Sequence, residues 1–152
     1  MLGLALQDIV KDNGHPYFMS VLQTPLDDSE SNSDPVTLRT HAECVFILTM
    51  LCDGFSQGQQ RCFDVGFMDI IFKIIDTQHK LVVQQQMLQE ERRVQQAPPG
   101  LRSSDWKDGL YDNLLLLAWS LLALGKLCDG QPLYIHTAMQ RYDAVRLFRV
   151  RP

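Results

Sequence analysis

The segment Leu48-x-x-Leu51-Cys52-Asp53-Gly54 recurs as Leu124-x-x-Leu127-Cys128-Asp129-Gly130, so that Cys52 falls on Cys128. At the same offset Leu38 falls on Leu114, Ala42 on Ala118, Val45 on Leu121 and Phe46 on Leu122. Nine positions between Leu38 and Gly54 thus agree with the second copy in identity or apolar character. The offset is close to twice the ~40 residues of a common helical repeat, and a fixed spacing of this kind marks an array of such repeats. One such unit cannot cover its own apolar face, so units stack, and the array works through its surfaces. The repetition therefore points to surface recognition rather than to chemistry in a pocket.

Local patterns agree with an all-α chain. Residues 2–11 read as a helix stopped by Asp12-Asn13-Gly14, since Asn and Gly accept the left-handed conformation of a helix end. Pro16 suits the first turn of the next helix, which buries Tyr17, Phe18, Val21 and Leu22. Residues 24–35 read as an acidic loop. In a long helix over 36–52, Leu38, Ala42, Val45, Thr49 and Cys52 step by four and three. A short helix near 57–64 and the turn Asp64-Val65-Gly66 precede a stripe of Phe67, Ile70, Ile71, Ile74 and Ile75. Residues 79–108 read as a Gln-rich insertion, a helical extension, with a disordered run as the alternative, followed by a loop over 98–108. The last strong helix is expected over 109–128, with Leu110, Leu114, Leu117, Leu121, Leu124 and Cys128 as its buried stripe, and a short helix over 131–145.

The spacing inside each unit gives the plan. The stretch from Gly66 to Cys128 is longer than its counterpart from Gly14 to Cys52, and the surplus fits the Gln-rich insertion. A short, a middle and a long buried helix make an armadillo/HEAT-type unit, so residues 1–152 are expected to form one α-solenoid segment of two to three repeats. Arrays of this kind need about three repeats and polar caps. Neither end here reads as a cap, which predicts a piece of a longer solenoid or a truncated gene model.

Charge and cysteine usage narrow the function. The net charge of −4 is supplied by Asp27, Asp28, Glu30 and Asp34, and the remainder balances 14 acidic against 14 basic residues. That balance offers nothing to nucleic acid. Arg141, Arg146, Arg149 and Arg151 at the C-terminal end read as a solvated chain end. The longest apolar stretch, Leu114 to Gly125, falls short of the ~20 residues a bilayer needs, so no transmembrane segment is expected. The four cysteines, Cys44, Cys52, Cys62 and Cys128, form no C-x-x-C pair and read as core thiols of a cytoplasmic protein.

Val10-Lys-Asp-Asn-Gly-His-Pro-Tyr-Phe-Met-Ser-Val-Leu22 resembles the armadillo region of the raptor family, scaffold subunits of the rapamycin-sensitive TOR kinase complex. The resemblance continues through Leu38-Arg39-Thr40, Gly58-Gln59 with Cys62, Phe67-Met-Asp-Ile-Ile, and Leu115 to Gly125. It covers roughly 9–75 and 112–130. The acidic loop and the Gln-rich insertion depart from the family. Its caspase-like domain and WD-repeat propeller have no counterpart in these residues. The resemblance implies a non-catalytic scaffold in TOR signalling, with a TOR-family kinase, its substrates and Rag-type GTPases as partners. It implies a cytoplasmic protein, recruited to the lysosomal or vacuolar membrane through those partners. The alternative is a generic armadillo adaptor for peptide or transport cargo, which needs regularly placed Asn and Trp on successive third helices; only Trp119 is available.

No enzyme or cofactor site is expected. His41, Cys44 and Cys52 lack the tight knuckles of structural zinc. Cys44 beside His41 has no orienting acid or oxyanion loop. Phosphate-binding glycine loops are absent. Lys11, Asn13 and His15, in the most raptor-like stretch, are the candidate protein-contact patch. The competing reading is a turn at Asn13-Gly14 with His15 as a local hydrogen-bonding group.

Overall fold

The computed structural model describes residues 2–23, 35–95 and 105–145, and apolar periodicity becomes helix throughout them. The helices are α1 (Leu2–Lys11), α2 (His15–Gln23), α3 (Pro35–Cys52), α4 (Ser56–Asp64), α5 (Phe67–Val94), α6 (Asp105–Cys128) and α7 (Pro132–Val145). No strand occurs among the described residues, so the fold is all-α. The acidic loop at 24–34 and the loop at 96–104 lie outside them.

Helix ends follow from local chemistry. Pro35 and Pro132 open α3 and α7, where a missing N–H costs nothing. At the end of α1, Asn13 takes the left-handed conformation (φ 54°). The Asn13 N–H then donates to the Val10 carbonyl at 3.2 Å and the Gly14 N–H to the Ile9 carbonyl at 2.8 Å. This is a Schellman cap. Gly14 is needed there for room: a Cβ would lie 2.9 Å from Ile9 Cγ2. The doubled Leu-Cys-Asp-Gly ends α3 and α6 with a glycine in the left-handed conformation, Gly54 and Gly130 both at φ 66°.

The helical extension expected in the Gln-rich segment is the outer part of α5, which runs unbroken for 28 residues from Phe67 to Val94. One expectation needs correction. The second long helix begins at Asp105 rather than 109, so 105–108 is helix, not loop. A single interior glycine, Gly109, costs only ~1 kcal/mol against a long apolar helix, and the helix runs through it.

The core gathers around α3, whose Leu38, Ala42, Val45, Leu48, Leu51 and Cys52 are buried. Ile71, Ile74 and Ile75 of α5 and Leu116, Ala123 and Leu127 of α6 complete it. Helices α3 and α6 share the most extensive interface. Three contacts mark their outer seam. Arg39 Nε donates to Asp112 Oδ1 at 3.2 Å. Phe46 meets Trp119 edge-to-face with ring centroids 4.8 Å apart. Lys126 Nζ donates to Asp53 Oδ1 at 2.7 Å. The partners in each contact are 73 residues apart, and successive contacts are seven residues on. The two helices therefore run parallel and in register for two heptads.

Gln59 of α4 ties the ends together. Its Nε2 donates to the carbonyls of Lys126 (2.9 Å) and Asp129 (2.8 Å), and its Oε1 accepts from Gln131 Nε2 at 3.0 Å. Carbonyls at the end of α6 are thus satisfied by a buried side chain of the preceding helix pair.

Candidate protein-interaction surface

Helix α6 has two apolar sides, and only one is covered. Leu116, Ser120, Ala123 and Leu127 are fully buried. Tyr111, Leu114, Ala118, Leu121, Leu122 and Gly125 are exposed and share the other side, with no charged residue among them. The internal repeat gives this exposure its meaning. The counterparts of Leu114, Ala118, Leu121 and Gly125 in α3 are Leu38, Ala42, Val45 and Thr49, all buried. Ala42 and Thr49 lie one turn either side of Phe46, on the side of α3 that meets α6. A face that one unit covers with a neighbouring helix is open in the next.

Helix α7 borders this face. It is anchored by Tyr134, stacked on Phe63 at 4.1 Å, and by the ion pair of Arg141 with Asp69. Between α5, α6 and α7 lies an open apolar groove of about 420 Å³, lined by Phe72, Ile75, Leu121, Leu124, Ile135 and Met139. Gly125 and Cys128 also face it. A Cβ built on Gly125 meets nothing within 4 Å, so the groove widens there without any demand from the fold.

The candidate contact residues separate. Lys11 and Asn13 are exposed at the α1–α2 turn, and Lys11 reaches Asp8 at 4.0 Å. His15 is only 3% exposed. Burial, and after it the Arg61 charge, holds its imidazole below the ordinary value of 6.5. The exposed part of the proposed patch is therefore Lys11 and Asn13, with His15 beneath it. His41, also buried, bonds to the Val21 backbone; burial lowers its pKa and that bond opposes the shift.

The thiols belong to the interior. Cys44, Cys52 and Cys62 are buried and Cys128 half-buried. A hydrogen bond with Cys62, then burial, then the Cys62 and Cys128 thiols push Cys52 far up. Burial raises Cys44, helped by Glu43, and raises Cys128. Thiols held protonated in this way are poor nucleophiles and poor metal ligands. Among the described residues no group of three or more His, Cys, Asp or Glu could hold a metal ion.

Over 58 residues, 38% of its length, the chain is 38% identical to target of rapamycin complex 1 subunit mip1 of Schizosaccharomyces pombe. The match spans 4% of that relative's length. No protein-family model matches the chain. No solved structure matches it.

Sequence periodicity misplaced the buried stripe of α6. Leu114 and Leu121, expected inside, are exposed at 42% and 44%. The covered side instead carries Asp112, Asn113 and Ser120, whose polarity argued for solvent. Asp112 faces Arg39, and the Ser120 hydroxyl donates to the Leu116 carbonyl at 2.7 Å. The repeat carried no signal for this: Leu38 and Val45, the counterparts of Leu114 and Leu121 in α3, are buried. The apolar stretch from Leu114 to Gly125 also understated α6. Tyr111–Cys128 is long and apolar enough, by length and composition, to cross a membrane. Its charged residues, Asp112 and Lys126, are both paired with α3 or the turn that ends it.

Proposed function

We propose that the chain is a non-catalytic scaffold segment of a raptor-like subunit in a TOR kinase complex. The similarity to a target of rapamycin complex 1 subunit carries this reading. The Val10 to Leu22 stretch supports it from the sequence side. In this reading α1–α3 and α4–α6 are two stacked armadillo/HEAT-type units, α7 opens a third, and residues 1–152 are one solenoid segment. Each group of three ends in a long helix that contributes one side to the core, and α3 and α6 run parallel, as stacked units require. The helices supply rigidity and the surfaces supply recognition. Lys11 and Asn13 form an exposed contact point at a rigid Schellman turn. The partners are a TOR-family kinase, its substrates and Rag-type GTPases. The site of action is the cytoplasm, with recruitment to the lysosomal or vacuolar membrane through those partners.

Affinity capture of the full-length protein from its own cells tests the reading. A TOR-family kinase should co-purify, and exchange of Lys11 and Asn13 to Glu and Asp should reduce its recovery without changing the helical signal. Capture of the intact protein without any TOR kinase would reject the proposal.

A further inference from the structure

We propose that α2 is an acid-sensitive clasp, released from α3 when His15 and His41 take up protons. The clasp goes beyond the scaffold reading and does not depend on it.

The joint between α2 and α3 has an ionisable side chain at a core position on each side. Helix α2 is nine residues long, and its buried stripe is His15, Met19 and Leu22, spaced by four and three. His15 thus fills a place that periodicity gives to an apolar residue. Its Nδ1 is buried without a hydrogen-bond partner. From the other side, His41 of α3 bonds to the Val21 backbone in the last turn of α2. Both histidines are 3% exposed. They bracket α2, one at its first residue and one near its end.

A proton on either ring finds no counter-charge. The Arg61 charge of α4 opposes a proton on His15. The Val21 backbone favours the imidazolium of His41, but burial outweighs it. Asp8 and Lys11 of α1 engage each other at the surface. Arg39 and Glu43 of α3, Asp64 of α4 and Asp69 of α5 are exposed. None of these carboxylates holds either imidazolium. Seated, both rings bind protons more weakly than at the ordinary value of 6.5. Released into water, they return to it, so release takes up protons and gains as pH falls below 6.5.

Release does not require the whole chain to unfold. Besides His15, α2 fully buries only Met19 and Leu22. Helices α3 and α6 share the most extensive interface, and α6 carries no histidine. Release uncovers part of α3. Cys44 lies three residues on from His41, on the same side of that helix, and is 6% exposed. Release also unseats the turn that carries Lys11 and Asn13.

Thiol labelling of the 152-residue chain with dithiodipyridine, which reacts in acid, reads the clasp once the labelled cysteines are located by mass spectrometry. Rates are taken relative to the urea-unfolded chain at the same pH. Each proton taken up on release multiplies the equilibrium by up to ten per pH unit, so the relative rate at Cys44 should rise at least ~10-fold between pH 7.5 and 5.5. Cys52, fully buried at the other end of α3, should stay protected. In the double variant His15→Gln, His41→Gln the rise should disappear. Arg61 is exposed, so Arg61→Gln leaves the core intact. Without that charge His15 is protonated more readily in its seat, and the rise should shrink. Should the double variant fail to fold, Arg61→Gln decides. The proposal is overturned by a Cys44 rate that does not change with pH, or by Cys52 opening in step with Cys44. A rise that persists in the double variant, or one that Arg61→Gln leaves unchanged, overturns it as well.

Discussion

At Gly58 the absence of a side chain decides how closely α4 crosses the end of α3. A Cβ there would meet the Leu51 carbonyl oxygen at 1.9 Å and Phe55 Cδ1 at 2.8 Å. The oxygen is backbone and cannot swing aside, so Gly58→Ala must part the two helices. Overpacking of this kind costs at least ~2 kcal/mol, which urea unfolding of the variant should show. Gly125→Ala is the contrasting case. Nothing opposes its Cβ, and helix propensity alone should leave the chain up to ~1 kcal/mol more stable. A loss of stability would show that Gly125 serves the fold itself. The two buried histidines give stability a pH dependence. Burial lowers both imidazoles from 6.5 in the folded chain, so below 6.5 the unfolded chain binds more protons. Their contribution is present above pH 6.5 and is lost as pH falls toward the folded values. Melting temperature should therefore drop between pH 7.5 and 5.5, and less so in His15→Gln. A flat profile across this window would show that neither histidine is held neutral.

Helix α5 is one element with two environments. From Phe67 to Val82 it carries a buried stripe, whereas most residues from 83 to 94 are exposed, among them Met87, Leu88 and Val94. An isolated helical stretch of that length is marginal in water, because tertiary packing supplies most helix stability. Amides of 84–94 should therefore exchange orders of magnitude faster than those of 70–78 in native-state hydrogen exchange. Equal protection would mean that something covers the extension. The change along α5 was legible in the sequence, since the apolar stripe thins after Val83. So was the helical extension itself, because Gln, Glu and Arg are good helix formers. Helix ends with special backbone chemistry were the most legible. Asp12-Asn13-Gly14 and the doubled Asp-Gly stop their helices where turn chemistry places them, with Asn13 rather than Gly14 taking the left-handed position. The start of α6 carries no comparable signal.

Across the whole molecule the repeat was legible, but the side of each repeat that meets a neighbour was not. In α3 and α6 alike, apolar residues occupy more than one side, and periodicity alone cannot say which side is covered. The pairing itself decides this, through contacts far apart in sequence. Arg39 with Asp112, Phe46 with Trp119 and Asp53 with Lys126 set the register of α3 against α6. The charges are reversed at the two ends of the seam. A slip by one heptad would bring Arg39 to Trp119 and Phe46 to Lys126, stranding Asp112 in its buried place without its cation. The ends thus select the register, while the aromatic pair at the middle supplies contact energy. Arg39 and Asp53 are substantially exposed, so solvent weakens their Coulombic contribution. The aromatic contact is the better test. A double-mutant cycle on Phe46→Leu and Trp119→Leu should give a coupling of ~1 kcal/mol, the usual worth of an edge-to-face pair beyond burial. Because the seam joins the largest interface, each single exchange should also lower the midpoint of the entire unfolding transition. A coupling near zero would mean that α3 and α6 are held together by their buried leucines alone, and that the heptad seam follows from the stacking without determining it.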